Sequence, residues 1–173
     1  MPDIELRLDG EADAAIRAQW SALSDADLPS QADHAGDSNA PHVTAAFWTA
    51  QLEPFRVETP TIDIVVGSLL MFRRKRGVVL ARQVVVNREL LDWHAEVHAR
   101  LADDLDVDPR TRPGAWTPHV TLARSIPSES VPAALDALGP FADLTARVAS
   151  VLMWNGRTAT LSDLAAVPPS IED

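Results

Sequence analysis

The chain has 173 residues, of which 46% are hydrophobic and 23% are charged, values that suit one globular domain with a core of its own. It contains no cysteine, which excludes disulfides, thiolate–zinc sites and cysteine nucleophiles. The net charge of −10 argues against a large nucleic-acid-binding surface that ignores sequence, although it leaves room for a small phosphate cleft.

Apolar periodicity and the positions of Gly, Pro and Asn divide the chain into elements. We predict strands at residues 4–8, 42–48, 61–72, 78–86, 119–124, 144–154 and 158–167. We predict helices at residues 11–23, from the N-cap Asn87 to about 104, and 128–138. Polar loops cover residues 25–40 and 105–116, residues 51–58 are weakly defined, and turns join two hairpins at residues 73–77 and 155–156.

The amino-terminal residues and the longest apolar run bear on localisation. The first residues are acidic and alternating, which is not typical of a signal peptide. The run at residues 62–72 contains Asp63 and is too short to span a bilayer. We therefore expect a cytoplasmic protein that has no membrane partner and is a monomer.

One phrase, Pro-His-Val-Thr, occurs twice, at residues 41–44 and 118–121, with the histidines 77 residues apart (119 − 42). Both copies begin a predicted strand. Side chains alternate between the two faces of a strand, so His42 and Thr44 share a face, as do His119 and Thr121. Each strand is expected to bury its apolar face and to present a histidine and a hydroxyl on the other.

This pair of His-x-Thr-x motifs resembles the 2H phosphoesterase superfamily, and the second copy, which continues to Arg124, is similar to its 2′-5′ RNA ligase and cyclic phosphodiesterase branch. The resemblance implies an α+β fold with two lobes related by a pseudo-two-fold axis. Antiparallel sheets would surround a central cleft between the two motif strands, with helices packed outside. We expect a single domain over residues 1–173, with halves of about 1–77 and 78–173, and both polar loops beside the cleft.

Two histidines in such a cleft suit phosphodiester chemistry. An imidazole has an ordinary pKa near 6.5, so that one ring can take a proton from the attacking oxygen while the other gives one to the leaving oxygen. Thr44 and Thr121 would bind the non-bridging oxygens. We predict a metal-independent phosphodiesterase without cofactor that acts on 2′,3′-cyclic phosphates of nucleotides or RNA ends. Whether it also runs in reverse as a 2′-5′ RNA ligase is left open by the sequence. The alternative is a nucleotide- or RNA-end-binding module without turnover.

Several residues near the motifs are candidates for substrate binding. The resemblance suggests that Arg124 contacts phosphate or base. Simple alternation places it on the face opposite His119, but a bulge or the end of the strand could redirect it. Phe47, Trp48 and Trp116 could stack on a base. Trp48 shares the parity of His42 and is favoured, whereas large aromatic residues commonly belong to the core.

Other chemistries find less support. Lys75 is the only lysine and lies in the basic run at residues 73–76, which we interpret as a solvated hairpin tip. No glycine is followed by lysine, so there is no P-loop. His94 and His98 are four residues apart on a predicted helix, but we interpret them as packed, hydrogen-bonded residues and predict no metal site. His34 is interpreted as a solvated loop residue. The first motif continues differently from the RNA ligase branch, which favours small cyclic nucleotides or oligonucleotide ends over long RNA.

Overall fold

A computed structural model describes residues 2–34, 36, 38–50, 52, 54–101 and 105–166. Within these residues the chain forms seven strands and three α-helices, in the order β1 (Asp3–Leu8), α1 (Gly10–Asp25), β2 (His42–Phe47), β3 (Asp63–Arg73), β4 (Val78–Val85), α2 (Arg88–Ala99), β5 (His119–Ile126), α3 (Val131–Leu138), β6 (Leu144–Asn155) and β7 (Thr160–Asp163). Short 3₁₀ turns occupy Gln31–Asp33, Pro109–Thr111 and Ser128–Ser130. None of the described helices is long and apolar enough to cross a membrane.

The predicted α+β class is confirmed, and most predicted boundaries agree with the structure to within a few residues. The helix expected to reach residue 104 ends at Ala99 with Arg100 as its C-cap, while residues 102–104 lie outside the described part. The last strand is shorter than predicted and stops at Asp163, and residue 167 also lies outside that part. Residues 51 and 53 of the weakly defined segment and residues 35 and 37 of the first loop also lie outside the described part.

The strands form one antiparallel sheet in the order β1-β2-β5-β4-β3-β6-β7. β6 pairs with β3 through its first residues and with β1 through the rest, so that six of the strands form a closed ring of neighbours. If β1 is exchanged with β4, β2 with β5 and β3 with β6, every strand of the ring still has a neighbour that it pairs with in the structure. This is the pairing that a duplicated fold requires, and the duplication and the cleft stay predictions.

Alternation in the strands separates a core face from a face that carries polar groups. In β1, Ile4 and Leu6 are fully buried in the core, whereas Asp3, Glu5 and Arg7 point to the opposite face. Burying each large aliphatic side chain contributes about 1.5–3 kcal/mol, which strongly disfavours a one-residue slip of β1. The register of β1 thereby fixes three charged side chains on one face of the sheet.

Helix α1 contributes to the core through residues at helical spacing. Asp9 caps it by accepting a hydrogen bond from the Ala12 amide at 3.0 Å. Its buried side chains are Ala12, Ile16, Trp20 and Leu23. The indole N–H of Trp20 donates to the Thr121 carbonyl at 3.0 Å, so this helix is tied directly to the second motif strand.

Candidate active site

The two motifs lie on neighbouring strands. β2 and β5 are antiparallel, with Val43 opposite Val120, and both valines are buried in the core. Alternation therefore turns both histidines and both threonines to the other side, where all four are partly exposed. We call this side of the sheet, which carries His42, Thr44, His119 and Thr121, the site face. The structure brings together the four residues predicted from the repeated phrase.

The two imidazoles are oriented in the same way. His42 Nδ1 lies 2.8 Å from the Ala40 carbonyl oxygen, and His119 Nδ1 lies 2.8 Å from the Thr117 carbonyl oxygen. A carbonyl oxygen accepts hydrogen bonds only, so each Nδ1 carries the proton that it donates. In the neutral rings Nε2 is consequently left with a lone pair. Each histidine thus offers the same nitrogen for proton transfer.

The surroundings of the two rings differ. His42 Nε2 lies 3.6 Å from Oε1 of Glu5, a buried carboxylate that also forms a 2.6 Å ion pair with Arg7. His119 instead packs against Phe72, with the ring centroids 4.7 Å apart. A carboxylate carries a full negative charge and stabilises an imidazolium more than a phenyl ring does. The pair of motifs is therefore chemically asymmetric.

Burial lowers the pKa of His42 below its usual range; Glu5 and the hydrogen bond to the Ala40 carbonyl act in the opposite direction. The positive charges of Arg7 and Arg124 add to the lowering. Burial likewise lowers the pKa of His119, and a charge on His42 lowers it further, while its bond to Thr117 opposes this. Because each titration affects the other, the limbs of a pH profile belong to the pair.

Asp3 lies on the site face two residues before Glu5. Burial and the charge of Glu5 raise the pKa of Asp3 to about 8, although positive charges nearby, including Arg7 and Arg124, act in the opposite direction. Asp3 is thus mostly protonated at neutral pH.

A bulge in β5 decides the position of Arg124. Thr121 is opposite Ala81 and Ala123 is opposite Leu80, so Leu122 is an extra residue on the β5 side. The extra residue reverses the alternation beyond it and returns Arg124 to the site face, where its side chain is exposed. Simple alternation predicted the opposite face and was wrong for this reason. The effect of the Arg124 charge on His42 agrees with this position.

The equivalent bulge in β2 has the opposite consequence for Trp48. Thr44 is opposite Glu5 and Ala46 is opposite Ile4, so Ala45 is the extra residue. Beyond it Phe47, opposite Asp3, lies on the site face, and Trp48 is fully buried in the core. The structure therefore does not bring Trp48 to the histidines, contrary to its predicted parity.

Trp116 contacts the backbone of the first motif. Its indole N–H donates to the Thr44 carbonyl at 2.9 Å, as the indole of Trp20 does to Thr121. Its ring stacks on buried His94, with centroids 3.9 Å apart and planes 2° apart. These contacts fix the backbone of Thr44, while base stacking by Trp116 stays a prediction.

His94 and His98 are engaged in helix-to-strand hydrogen bonds. Their Nε2 atoms lie 3.0 and 3.2 Å from the Ala45 carbonyl oxygen, which requires a proton on each. Burial is the main cause that lowers the pKa of His94 to about 4, and it also lowers the pKa of His98. Both are packed as predicted and hold the bulge of β2. Among the described residues, no group of three or more His, Cys, Asp or Glu side chains could hold a metal ion.

Both polar loops contact the site face. Arg7 donates from its guanidinium to the Ser38 carbonyl at 3.1 Å, which ties the first loop to the charged row of β1. In the second loop, the guanidinium carbon of Arg110 lies 5.7 Å from the ring centroid of Phe47. Glu5, Arg7 and Phe72 were missed from the sequence. The charged positions in β1 gave a weak signal, but their pairing with the first motif depends on contacts distant in sequence.

The comparison with known families agrees with this geometry. A family model described as the 2′-5′ RNA ligase superfamily matches residues 48–159, which is 112 of the 173 residues. The chain belongs to the 2′-5′ RNA ligase superfamily. The match includes the His119 motif and begins after the His42 motif, so the first motif is assigned to the site by its position beside the second. No curated protein matches the sequence.

Proposed function

We propose that this 2′-5′ RNA ligase superfamily member is a metal-independent phosphodiesterase that opens 2′,3′-cyclic phosphates at nucleotide or RNA ends. The observation that carries the proposal is the arrangement of the two histidines. They lie on adjacent strands, and each has its Nδ1 engaged and its Nε2 available. Two such nitrogens can serve as a general base and a general acid on opposite sides of one phosphorus.

The unequal surroundings support a division of roles. Glu5 favours a proton on His42 Nε2, whereas His119 packs against Phe72 and forms no ion pair with a carboxylate of the described residues. His119 Nε2 accepts a proton from water, whose oxygen attacks phosphorus. The bond from phosphorus to the 3′ oxygen breaks, and His42 Nε2 gives its proton to that oxygen. The product carries a 2′-phosphate and a 3′-hydroxyl.

The threonines and Arg124 complete the proposed site. The hydroxyls of Thr44 and Thr121 share the site face with the histidines and are placed to bind the non-bridging oxygens, where negative charge increases during attack. Arg124 adds a guanidinium on the same face, and guanidinium suits bidentate contact with phosphate. The same displacement with an RNA 5′-hydroxyl in place of water forms a 2′-5′ linkage, which is the ligase direction.

A substrate panel tests the proposal. The protein is incubated in EDTA with 2′,3′-cyclic mononucleotides and with oligonucleotides that end in a 2′,3′-cyclic phosphate, and products are identified by phosphorus NMR. We expect 2′-phosphate products without added metal. Activity that appears only after metal is added contradicts the mechanism. Tight binding of nucleotides by calorimetry, with no turnover across the panel, indicates the binding module instead.

A further inference from the structure

The turn between β3 and β4 concentrates positive charge in an acidic protein. It holds four consecutive cations, Arg73, Arg74, Lys75 and Arg76, of the fifteen lysines and arginines in a chain of net charge −10. We call these four residues the basic turn. All four side chains are exposed, and no ion pair or hydrogen bond links them to another side chain in the described part of the chain. The turn therefore has positive charge free for a partner.

The hairpin that carries the basic turn bends over the site face. Phe72 is opposite Val79 and His119 is opposite Gln83, four residues along β4. In a flat sheet Phe72 and His119 would be roughly 16 Å apart, from about 3.3 Å per residue and about 4.8 Å per strand. Their ring centroids are 4.7 Å apart. The roughly 16 Å separates backbone positions and the 4.7 Å separates ring centroids, so side chains that lean toward each other account for part of the difference and bending of the strands for the rest. Arg73 is the residue next to Phe72.

The base of the turn is fixed against the end of β5. Gly77 has a φ of +89°, and a Cβ at this position would overlap the Ile126 carbonyl oxygen. Glycine is required there because it permits both the backbone conformation and the close approach. The Arg74 amide donates to the Gly77 carbonyl at 2.9 Å and closes the turn. The basic turn is thus anchored beside the strand that carries His119 and Arg124.

We propose that the basic turn binds the phosphate backbone of an RNA strand whose cyclic end lies between His42 and His119. The inference rests on the proposed function and defines its substrate as an oligonucleotide end rather than a free nucleotide. Guanidinium groups suit contact with phosphates, and such contacts fix a strand in position without reading its sequence. A cyclic mononucleotide has only the phosphate that would lie between the histidines, so it leaves no backbone phosphate for the turn.

Paired kinetics with two substrates test this inference. The double variant Arg74→Gln, Arg76→Gln is compared with wild type on a cyclic-ended oligonucleotide and on the matching cyclic mononucleotide. We expect kcat/KM to fall for the oligonucleotide and to stay unchanged for the mononucleotide. A plot of log kcat/KM for the oligonucleotide against log salt concentration should become shallower by about 1.4 in the variant. Each lost phosphate contact accounts for about 0.7 of that slope. When salt is raised from 50 to 200 mM, kcat/KM for the oligonucleotide should fall about sevenfold more in wild type than in the variant.

A second double variant controls for net charge. Arg56→Gln, Arg88→Gln also removes two exposed positive charges, and Arg88 begins α2, whose buried residues pack on the core side. It should leave kcat/KM for both substrates unchanged. An equal loss for the oligonucleotide in both double variants overturns the inference, and so does an equal loss for both substrates in the first variant.

Direct binding separates this inference from the proposed reaction. Fluorescence anisotropy with a labelled oligonucleotide that ends in a 2′-phosphate should show weaker binding only when the basic turn is neutralised, even if no cyclic substrate is turned over. Turnover of mononucleotides with no contribution of the turn to oligonucleotide binding overturns the inference and leaves the proposed function intact. Binding of the turn to phosphatidylserine vesicles without binding to the oligonucleotide also overturns it.

Discussion

Glu5 distinguishes the two motif histidines at the level of single side chains. It lies 3.6 Å from His42 Nε2, and its other oxygen is paired with Arg7. Its negative charge stabilises the protonated imidazole, in opposition to burial. A role as positioning residue follows, because Glu5 acts on the reaction through the proton of His42.

Replacing Glu5 by Gln removes that charge and keeps a similar shape. Because the protonated pair is then less stable, the alkaline limb of the kcat/KM profile should move to lower pH by about one unit. Asp3→Asn is the matched control: Asp3 is already mostly protonated at neutral pH, so this profile should move much less. An unmoved profile in Glu5→Gln contradicts the role given to Glu5.

The assignment of acid and base predicts a selective rescue. A phosphodiester with a p-nitrophenol leaving group needs little protonation as the bond breaks. We expect His42→Ala to recover most activity on this substrate and His119→Ala to remain impaired, because the attacking water still needs a base. Rescue of His119→Ala but not of His42→Ala, measured by nitrophenol release, exchanges the two roles.

The elements themselves were largely predictable, and their irregularities were not. Alternation and turn residues indicated the seven strands, and Asn87 marked the start of α2. The bulges at Ala45 and Leu122 leave no mark in the sequence, since one extra residue is seen only against a partner strand. They place Trp48 in the core, against its predicted parity, and turn Arg124 to the site face, against simple alternation.

Helix α2 holds the β2 bulge through neutral histidines, which makes its contribution dependent on pH. The pKa of His94 is about 4 when folded and about 6.5 when unfolded, so the unfolded chain binds more protons between these values. The free energy of unfolding should be highest above pH 6.5 and fall by roughly 3 kcal/mol toward pH 4 from this residue.

Urea unfolding of His94→Gln tests this dependence. The glutamine amide can still donate to the Ala45 carbonyl but does not titrate, so stability should change less between pH 7 and pH 5 than in wild type. His34→Gln, in an exposed loop, should keep the pH dependence of wild type. If His94→Gln loses stability with falling pH as steeply as wild type, this histidine is not the cause.

At the scale of the whole molecule, the ring of strands brings together motifs that are 77 residues apart. β2 pairs with β5 at the centre of this arrangement, with β1 on the outer side of β2 and β4 on the outer side of β5. The repeated phrase predicted that His42, Thr44, His119 and Thr121 share a face, and it carried the resemblance to the family that the family model shows. The partners Glu5 and Phe72 could not be predicted, since they depend on which strands become neighbours and on how the hairpin bends.

The central claim is that His42 and His119 act as one unit on a cyclic phosphate. Single-turnover cleavage of a 2′,3′-cyclic-ended oligonucleotide in EDTA is the most direct measurement, with wild type, His42→Ala, His119→Ala and the double variant. We predict that each single variant loses at least about a hundredfold and that the double variant is little slower than the worse single variant. Thr44→Ala and Thr121→Ala should lose less, because each removes a hydrogen bond and no proton carrier. If either histidine variant keeps the wild-type rate, this pair of strands does not form the active site.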